Sequence, residues 1–374
     1  MFFSAFPTRG GEVFRMPCRD AGAPEENLST ERSVMIVRTV AYPRAALVGN
    51  PSDGYHGKTI AFVFSNFSAQ VQLYETPELE ILPSRRDYCR FASLDELCED
   101  VNLYGYYGGI RLLKAAIKKF NEYCRENSLE LRRSNFTIRY TSSIPNRLGL
   151  AGSSAIITAA MRAMCRFYEV AIPDDRLAGL VLATEKEELD IPAGLQDRVA
   201  QAYNRPVYMD FSESYMKRHH GIGRYIPIKI PDELPLFVAY RTDLAEGSEI
   251  LHSRLRDDYD NGVPAVLAAM REWAELTEKV RDALARGEFD AIGALLDRNF
   301  DLRCEVCRKS ISERNMQMVQ LARSVGASAK FTGSGGAIIG TYRDAAMFQK
   351  LRAKLKKYDI EVIRPEIVRS GSQQ

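Results

Sequence analysis

"PNRLGLAGSSA", residues Pro145 to Ala155, lies between a stretch of strand period, NFTIRYTSSIP, and a longer segment, AIITAAMRAMCRFYEV. Gly149 and Gly152 allow close approach of the backbone, and Ser153 and Ser154 stand at the head of the longer segment. There Ile156, Ile157, Ala160, Met161, Met164 and Phe167 recur at helical spacing. A strand, a glycine loop and the start of a helix bring backbone N–H groups and the positive helix end to one point, which suits an anion. Glycine and serine ahead of a helix are also an ordinary N-cap, so the anion reading needs support from elsewhere in the chain.

Toward the N-terminus, VMIVRTVAYPRAALVG has the short period of a strand, and TIAFVFSNFSAQVQLYE predicts one or two more. Residues 108–127 place Ile110, Leu113, Ile117, Phe120 and Cys124 on one helical face. Toward the C-terminus, RPVYMDF and LPLFVAYR read as strands, and helices are expected around Val266–Val280, Phe289–Phe300, Met316–Val325 and Asp344–Lys357, with a closing strand in IEVIRPEIV. Strands and helices alternate without the regular βαβ period of a doubly wound sheet, so the expected class is α+β in two domains. The first 35 residues show no stable period and read as an irregular tail.

The 374 residues carry 51 Lys and Arg against 49 Asp and Glu, a net charge of +2. That balance supplies no global field for nucleic acid or a membrane surface. No apolar run reaches about 18 residues, which argues against a membrane span. The seven scattered cysteines suit free thiols in a reducing cytoplasm, and the lone Cys304-x-x-Cys307 reads as helix packing. "GNPSDGYHGKT", Gly49–Thr59, ends like a Walker A loop, but Ser52 replaces its first glycine and Asp53 would repel a triphosphate.

Pro145–Ala155 fits P-x-x-x-G-L-x-x-S-S-A, the second motif of the GHMP kinase superfamily, which includes galactokinase, homoserine kinase and mevalonate kinase. YPRAALVGNPSD resembles the first motif, departing from it at Pro43 and Ala46, where the superfamily carries Gly and Asn. KFTGSGGAIIG, Lys330–Gly340, resembles the third. Within the superfamily the chain is most similar to the glucuronokinase branch, on LVGNPSDGYHGKTIAF, GYYGGIRLL, IPNRLGLAGSSAI, AGLQDRVAQAY and KFTGSGGA. The resemblance spans most of the chain beyond the tail. It implies an N-terminal domain like the second domain of ribosomal protein S5 over 36–212 and a ferredoxin-like C-terminal domain over 213–374, with the site between them. It also implies phosphorylation of D-glucuronate at the anomeric oxygen, with ATP as co-substrate and Mg2+ as cofactor. A kinase for galacturonate, arabinose or galactose, or a silent sugar- and ATP-binding regulator, stays open as an alternative.

The resemblance assigns roles residue by residue. Asp197 stands at the catalytic aspartate position, where a carboxylate accepts the hydroxyl proton. Arg44 stands at the motif arginine, which favours that carboxylate's ionised form. Gly149, Leu150, Ala151, Gly152, Ser153, Ser154 and Ala155 form the expected phosphate loop. Ser154 and Glu185 are the expected magnesium ligands, with Glu187 a rival to Glu185. Asp53 corresponds to the aspartate that holds sugar hydroxyls, with Asn50, Ser52 and Gly335 as further substrate contacts. A cation should pair with the sugar carboxylate, and Arg198 and Lys58 are the candidates. Tyr106 and Tyr107 either stack on the sugar or pack at a helix start. The sequence leaves the oligomeric state open.

Overall fold

The computed structural model describes residues 35–84, 87, 93, 108–146, 148–242 and 249–369. The expected tail through residue 34 and the tyrosines Tyr106 and Tyr107 lie outside the described residues.

The first strand segment divides at Tyr42-Pro43 into β1 (Ile36–Ala41) and β2 (Arg44–Val48). Proline supplies no N–H to a ladder, so the chain changes sheets there. β1 joins β4 (Ala69–Thr76), β6 (Asn135–Ser142) and β5 (Glu80–Ile81) in the order β1-β4-β6-β5. β2 joins β3 (Lys58–Val63), β7 (Val207–Asp210) and β8 (Arg224–Pro227) in the order β2-β3-β7-β8. Two helices of this half match the expected amphipathic segments, α1 (Gly109–Glu126) and α2 (Gly152–Tyr168). They pack with α3 (Asp174–Ala183) and α4 (Gln196–Tyr203), and Phe62, Ile138, Ile157, Met161 and Phe167 fill the space between helices and strands. Periodicity predicts neither α3 nor α4. α4 is only two turns long, and its buried set includes Gln196, Arg198 and Gln201, which hides its helical period.

β7 pairs with β8 through Val207–Pro227 to Asp210–Arg224. Beyond the expected division at 212/213 the chain stays hydrogen-bonded to the sheet of the first half through Pro227, passing a short helix α5 (Glu213–Arg218) on the way. The sheet changes between Pro227 and the start of β9 (Leu236–Arg241).

A third, antiparallel sheet runs β10-β11-β9-β12, from β10 (Lys330–Phe331), β11 (Ala337–Thr341), β9 and β12 (Ile360–Ile363). Counting only these strands, the spatial order is 2-3-1-4, that of a ferredoxin-like βαββαβ unit. Helices α6 (Glu249–Asp260), α7 (Pro264–Arg286), α8 (Phe289–Cys307) and α9 (Glu313–Arg323) precede β10, and α10 (Ala345–Lys356) connects β11 to β12. Phe237, Met318, Phe331, Ile338, Leu351 and Val362 form its core. β12 ends well before the end of IEVIRPEIV, because Pro365 follows two residues later.

What positions the site is the free edge of β2. All five of its residues are buried, and an edge strand keeps unpaired N–H groups on its outer side. Arg44 N donates to Leu150 O at 3.0 Å and Ala46 N donates to Thr332 O at 3.0 Å. One strand edge thus docks the loop before α2 and the loop between β10 and β11. Ala46, at the position where the superfamily motif has Asn, also offers its carbonyl to the buried Lys330 Nζ at 2.8 Å.

Candidate active site

The loop before α2 turns through left-handed backbone at Gly149 (φ 64°) and Ala151 (φ 59°). For alanine that region is sparsely populated, and such outliers persist where surrounding contacts enforce them. Here Gln201 Nε2, from α4, donates to Ala151 O at 2.9 Å and to Tyr42 O at 3.0 Å. No side chain caps the N-terminus of α2. Ser153 is exposed and Ser154 buried, so consecutive serines point into different surroundings. The loop between β10 and β11 presses against this one: a Cβ at Gly333 would stand 2.5 Å from Gly149 O, so only glycine fits. Gly335 also faces Gly149, which puts it beside the loop before α2.

Asp197 occupies the second position of α4. Its Oδ1 lies 2.6 Å from Arg44 Nη2, and its Oδ2 3.5 Å from Arg198 Nη1. Arg44 Nη1 also donates to Gly149 O at 3.3 Å and to Thr332 O, so one guanidinium ties Asp197 to both glycine loops.

Glu185 sits in a single π turn, Thr184–Glu188, that extends α3. Such turns recur at functional sites because the extra residue re-aims a side chain. Glu185 is 1% exposed. Its Oε1 accepts from Ser154 Oγ at 2.8 Å, and its Oε2 accepts from both Nε and Nη2 of Arg198. Burial alone would lower the Arg198 pKa, but the carboxylates of Glu185 and Asp197 raise it above its ordinary value. Glu187 points outward, is mostly exposed and pairs with Lys119 at 2.8 Å. The two rivals thus lie in different surroundings, Glu185 buried against Ser154 and Glu187 on the exposed side against Lys119.

Three residues expected on the sugar side are engaged within the protein. Arg198 Nη1 also donates to Gly194 O at 2.8 Å, so this fully buried guanidinium is committed within the protein and is not poised for a ligand carboxylate. Lys58 pairs with Glu278 at 2.6 Å and lies 3.6 Å from Asp210. Ser52 is likewise turned inward, its Oγ donating to Lys58 O at 3.2 Å.

Asp53 lies beside the start of α4, and Asn50 beside the loop between β10 and β11. Asp53 Oδ2 accepts from the backbone N–H of Leu195 at 2.8 Å and of Gln196 at 3.2 Å, which hooks its 3-10 turn to the start of α4 beside Asp197. Asn50 Nδ2 donates to Phe331 O at 3.4 Å and Gly333 O at 3.5 Å, while its Oδ1 is buried with no donor among the described residues. Gln196 Nε2 approaches Asp53 Oδ1 at 3.4 Å, and its own Oε1 is also a buried acceptor with no donor among the described residues. A sugar carries the hydroxyl donors that such orphan acceptors need.

Burial, reinforced by the neighbouring charge of Asp197, pushes the Asp53 carboxyl up from 3.8 to about 6. Its folded value lies above its unfolded one, so its contribution to stability is fully present below the unfolded value and is lost as pH rises through about 6. Raising the carboxyl from 3.8 to about 6 corresponds to about 3 kcal/mol. Asp53→Asn should therefore be more stable than wild type at about pH 7.5, with the gain shrinking to nothing at about pH 4. Paired thermal melts across that range check this; a constant difference would contradict it.

Sequence reasoning missed Gln196, Gln201, Lys330, Asn299 and Arg303. For the last two a signal exists: both fall on the buried face of α8 with Ile292, Leu296 and Phe300, polar residues at apolar positions.

The description "GHMP kinases N terminal domain" matches residues 111–205, and "GHMP kinases C terminal" matches residues 280–360. Glucuronokinase 1 of Arabidopsis thaliana is 40% identical over 304 residues, covering 80% of this chain and 83% of that protein. Among solved structures, Lactococcus lactis galactokinase complexed with galactose superposes with a TM-score of 0.69 at 13% identity, covering 90% of this chain and 94% of that one. Streptococcus pneumoniae phosphomevalonate kinase in complex with phosphomevalonate and AMPPNP gives 0.69 at 14% identity, covering 89% and 100%. At these identities the structural likeness establishes the fold, while the plant relative carries the finer placement: the chain belongs to the GHMP kinases, and within them to the glucuronokinase family.

Proposed function

We propose that the protein phosphorylates D-glucuronate at its anomeric oxygen, with ATP as phosphoryl donor, giving glucuronate 1-phosphate and ADP. The observation that carries this reading is the position of Asp197, paired with Arg44 between a glycine loop at a helix start and a loop holding Asp53 and the orphan acceptor of Asn50. The activity carried by the name of the plant glucuronokinase supports the choice of sugar.

The anomeric oxygen attacks the γ-phosphorus, the bond from that phosphorus to the bridging oxygen breaks, and the hydroxyl proton passes to Asp197. Arg44 orients the Asp197 carboxylate and adds positive charge where the transferring group is most anionic. Residues 149–154 supply backbone N–H groups for the phosphates, with Ser153 as the exposed contact, while Ala155 N donates to Ala151 O at 3.1 Å and closes the first turn of α2. Asn50, Asp53 and Gln196 hold sugar hydroxyls.

Ser154 Oγ and Glu185 Oε1 are 2.8 Å apart. Oxygens at about 2.0–2.1 Å in an octahedral Mg2+ shell are about 2.9 Å apart along an edge, so this pair fits that ion. When bound there, magnesium neutralises phosphate charge. Ser154 and Glu185 are the residues that would hold the ion, with phosphate oxygens and water able to complete its shell. Ser154→Ala and Glu185→Gln should each shift the magnesium dependence of the rate upward by about tenfold, while Glu187→Gln leaves it unchanged. The curve at fixed ATP checks this, and a shift in Glu187→Gln alone would reverse the assignment.

No helix among the described residues is long and apolar enough to cross a membrane. The two substrates are small molecules, and the free thiols of Cys124, Cys165, Cys304 and Cys307 suit a reducing cytoplasm as the site of action. ADP release measured across glucuronate, galacturonate, glucose, arabinose and galactose tests the sugar choice; faster release with any of the others overturns it.

A further inference from the structure

The β2 edge holds one side of the loop between β10 and β11, and α8 holds the other. Asn299 and Arg303 are four residues apart and so project from one face of α8. Both are 2% exposed. Asn299 Oδ1 accepts from Gly49 N at 2.7 Å, and Asn299 Nδ2 donates to Asn50 O at 3.0 Å, so one amide brackets the start of the sugar loop. One turn later, Arg303 Nη1 donates to Gly333 O at 2.9 Å and Nη2 to Ser334 O at 2.8 Å, with the guanidinium over the Phe331 ring. The two anchorages meet at Gly333 O, which also accepts from Asn50 Nδ2. α8 is itself held by Trp273 of α7, whose Nε1 donates to Asn299 O at 3.0 Å.

Arg303 has no carboxylate partner among the described residues. Desolvation lowers its pKa to about 10, which still leaves it charged at neutral pH. A buried cation whose planar fork is spent on two loop carbonyls is an expensive way to fill space, since apolar residues fill such a site at lower cost. Its fork geometry does what an apolar side chain does not: it fixes the direction of two consecutive peptide groups.

We propose that Asn299 and Arg303 act as a two-point clamp on α8 that sets the sugar loop (Gly49–Asp53) against the glycine loop (Gly333–Gly335), and so sets the sugar oxygen against the phosphate loop. Both are positioning residues, acting through Asn50 and through Gly333 and Ser334. The inference rests on the assignment of Gly49–Asp53 as the sugar loop. The assay uses whichever sugar the wild type phosphorylates fastest, so failure with glucuronate sinks the substrate reading and leaves the clamp open to test.

A merely structural role lowers the folded, active fraction and leaves both Michaelis constants unchanged. The clamp predicts a split. Asn299→Ala should raise the sugar KM by about tenfold and leave the ATP KM within about twofold, because it frees the sugar loop alone. Arg303→Lys keeps the charge and loses the fork; it should lower kcat by about tenfold at an ATP KM within about twofold of wild type. Each rate is normalised to active enzyme by stoichiometric binding of an ATP analogue. If Asn299→Ala does not fold, the Arg303→Lys result decides. Unchanged KM values and unchanged normalised kcat, with only the melting temperature lowered, would overturn the proposal, as would a rise in ATP KM in place of sugar KM.

Discussion

Asp197→Asn is expected to lower kcat by about 10² or more with little change in ATP affinity, since general-base catalysis contributes about 10² to 10⁴. The amide keeps the shape of the carboxylate and removes its capacity to take the hydroxyl proton. The variant should fold, because Arg44 retains its bonds to Gly149 O and Thr332 O when the 2.6 Å ion pair to Asp197 is lost. Asp53, close enough for its carboxyl to be raised by Asp197, is already hydrogen-bonded to the α4 backbone and does not move into the vacated role. Turnover of a folded Asp197→Asn protein near the wild-type rate would remove Asp197 from the chemistry.

Arg198→Met is expected to be the most destabilising change at the site. Glu185 is 1% exposed and accepts from two nitrogens of Arg198, so the substitution strands a buried carboxylate whose remaining partner is Ser154. Breaking a buried pair from one side costs about 3–5 kcal/mol, whereas removing both charges together is often close to neutral. Urea unfolding should therefore show a large loss for Arg198→Met and a substantial recovery in the double variant Arg198→Met, Glu185→Leu. A milder substitution, Arg198→Gln, should leave the ratio of kcat/KM for glucuronate over glucose unchanged. A folded Arg198→Gln protein that loses its preference for the acid sugar would contradict the ion-pair role and restore the sequence-based expectation.

The parts of the fold that announce themselves in the sequence are those whose causes are local. The apolar face of α1, the continuous apolar run of β3, the alternation in β4 and the glycine-serine start of α2 all rest on near neighbours in the chain. The glycine loop before α2 and the proposed base Asp197 are proposed from the sequence for the same reason, being carried by contiguous motifs. The partners of these groups are not. Arg198 looks like a free cation beside Asp197 until the π turn brings Glu185 onto it, and no periodicity in TEKEE specifies that turn. Ser52 sits in a polar loop, yet the approach of β3 turns its hydroxyl to Lys58 O. Asn299 and Arg303 act on residues hundreds of positions earlier or some thirty later, through a tertiary contact that sequence spacing does not encode.

Phosphorus NMR of the product formed from ATP and D-glucuronate bears most sharply on anomeric phosphorylation with Asp197 as the base. One new phosphate ester is expected, with its resonance split by the anomeric proton and its yield abolished in Asp197→Asn. An ester on any other oxygen, or no ester on glucuronate while ATP is consumed with a neutral sugar, would contradict that chemistry.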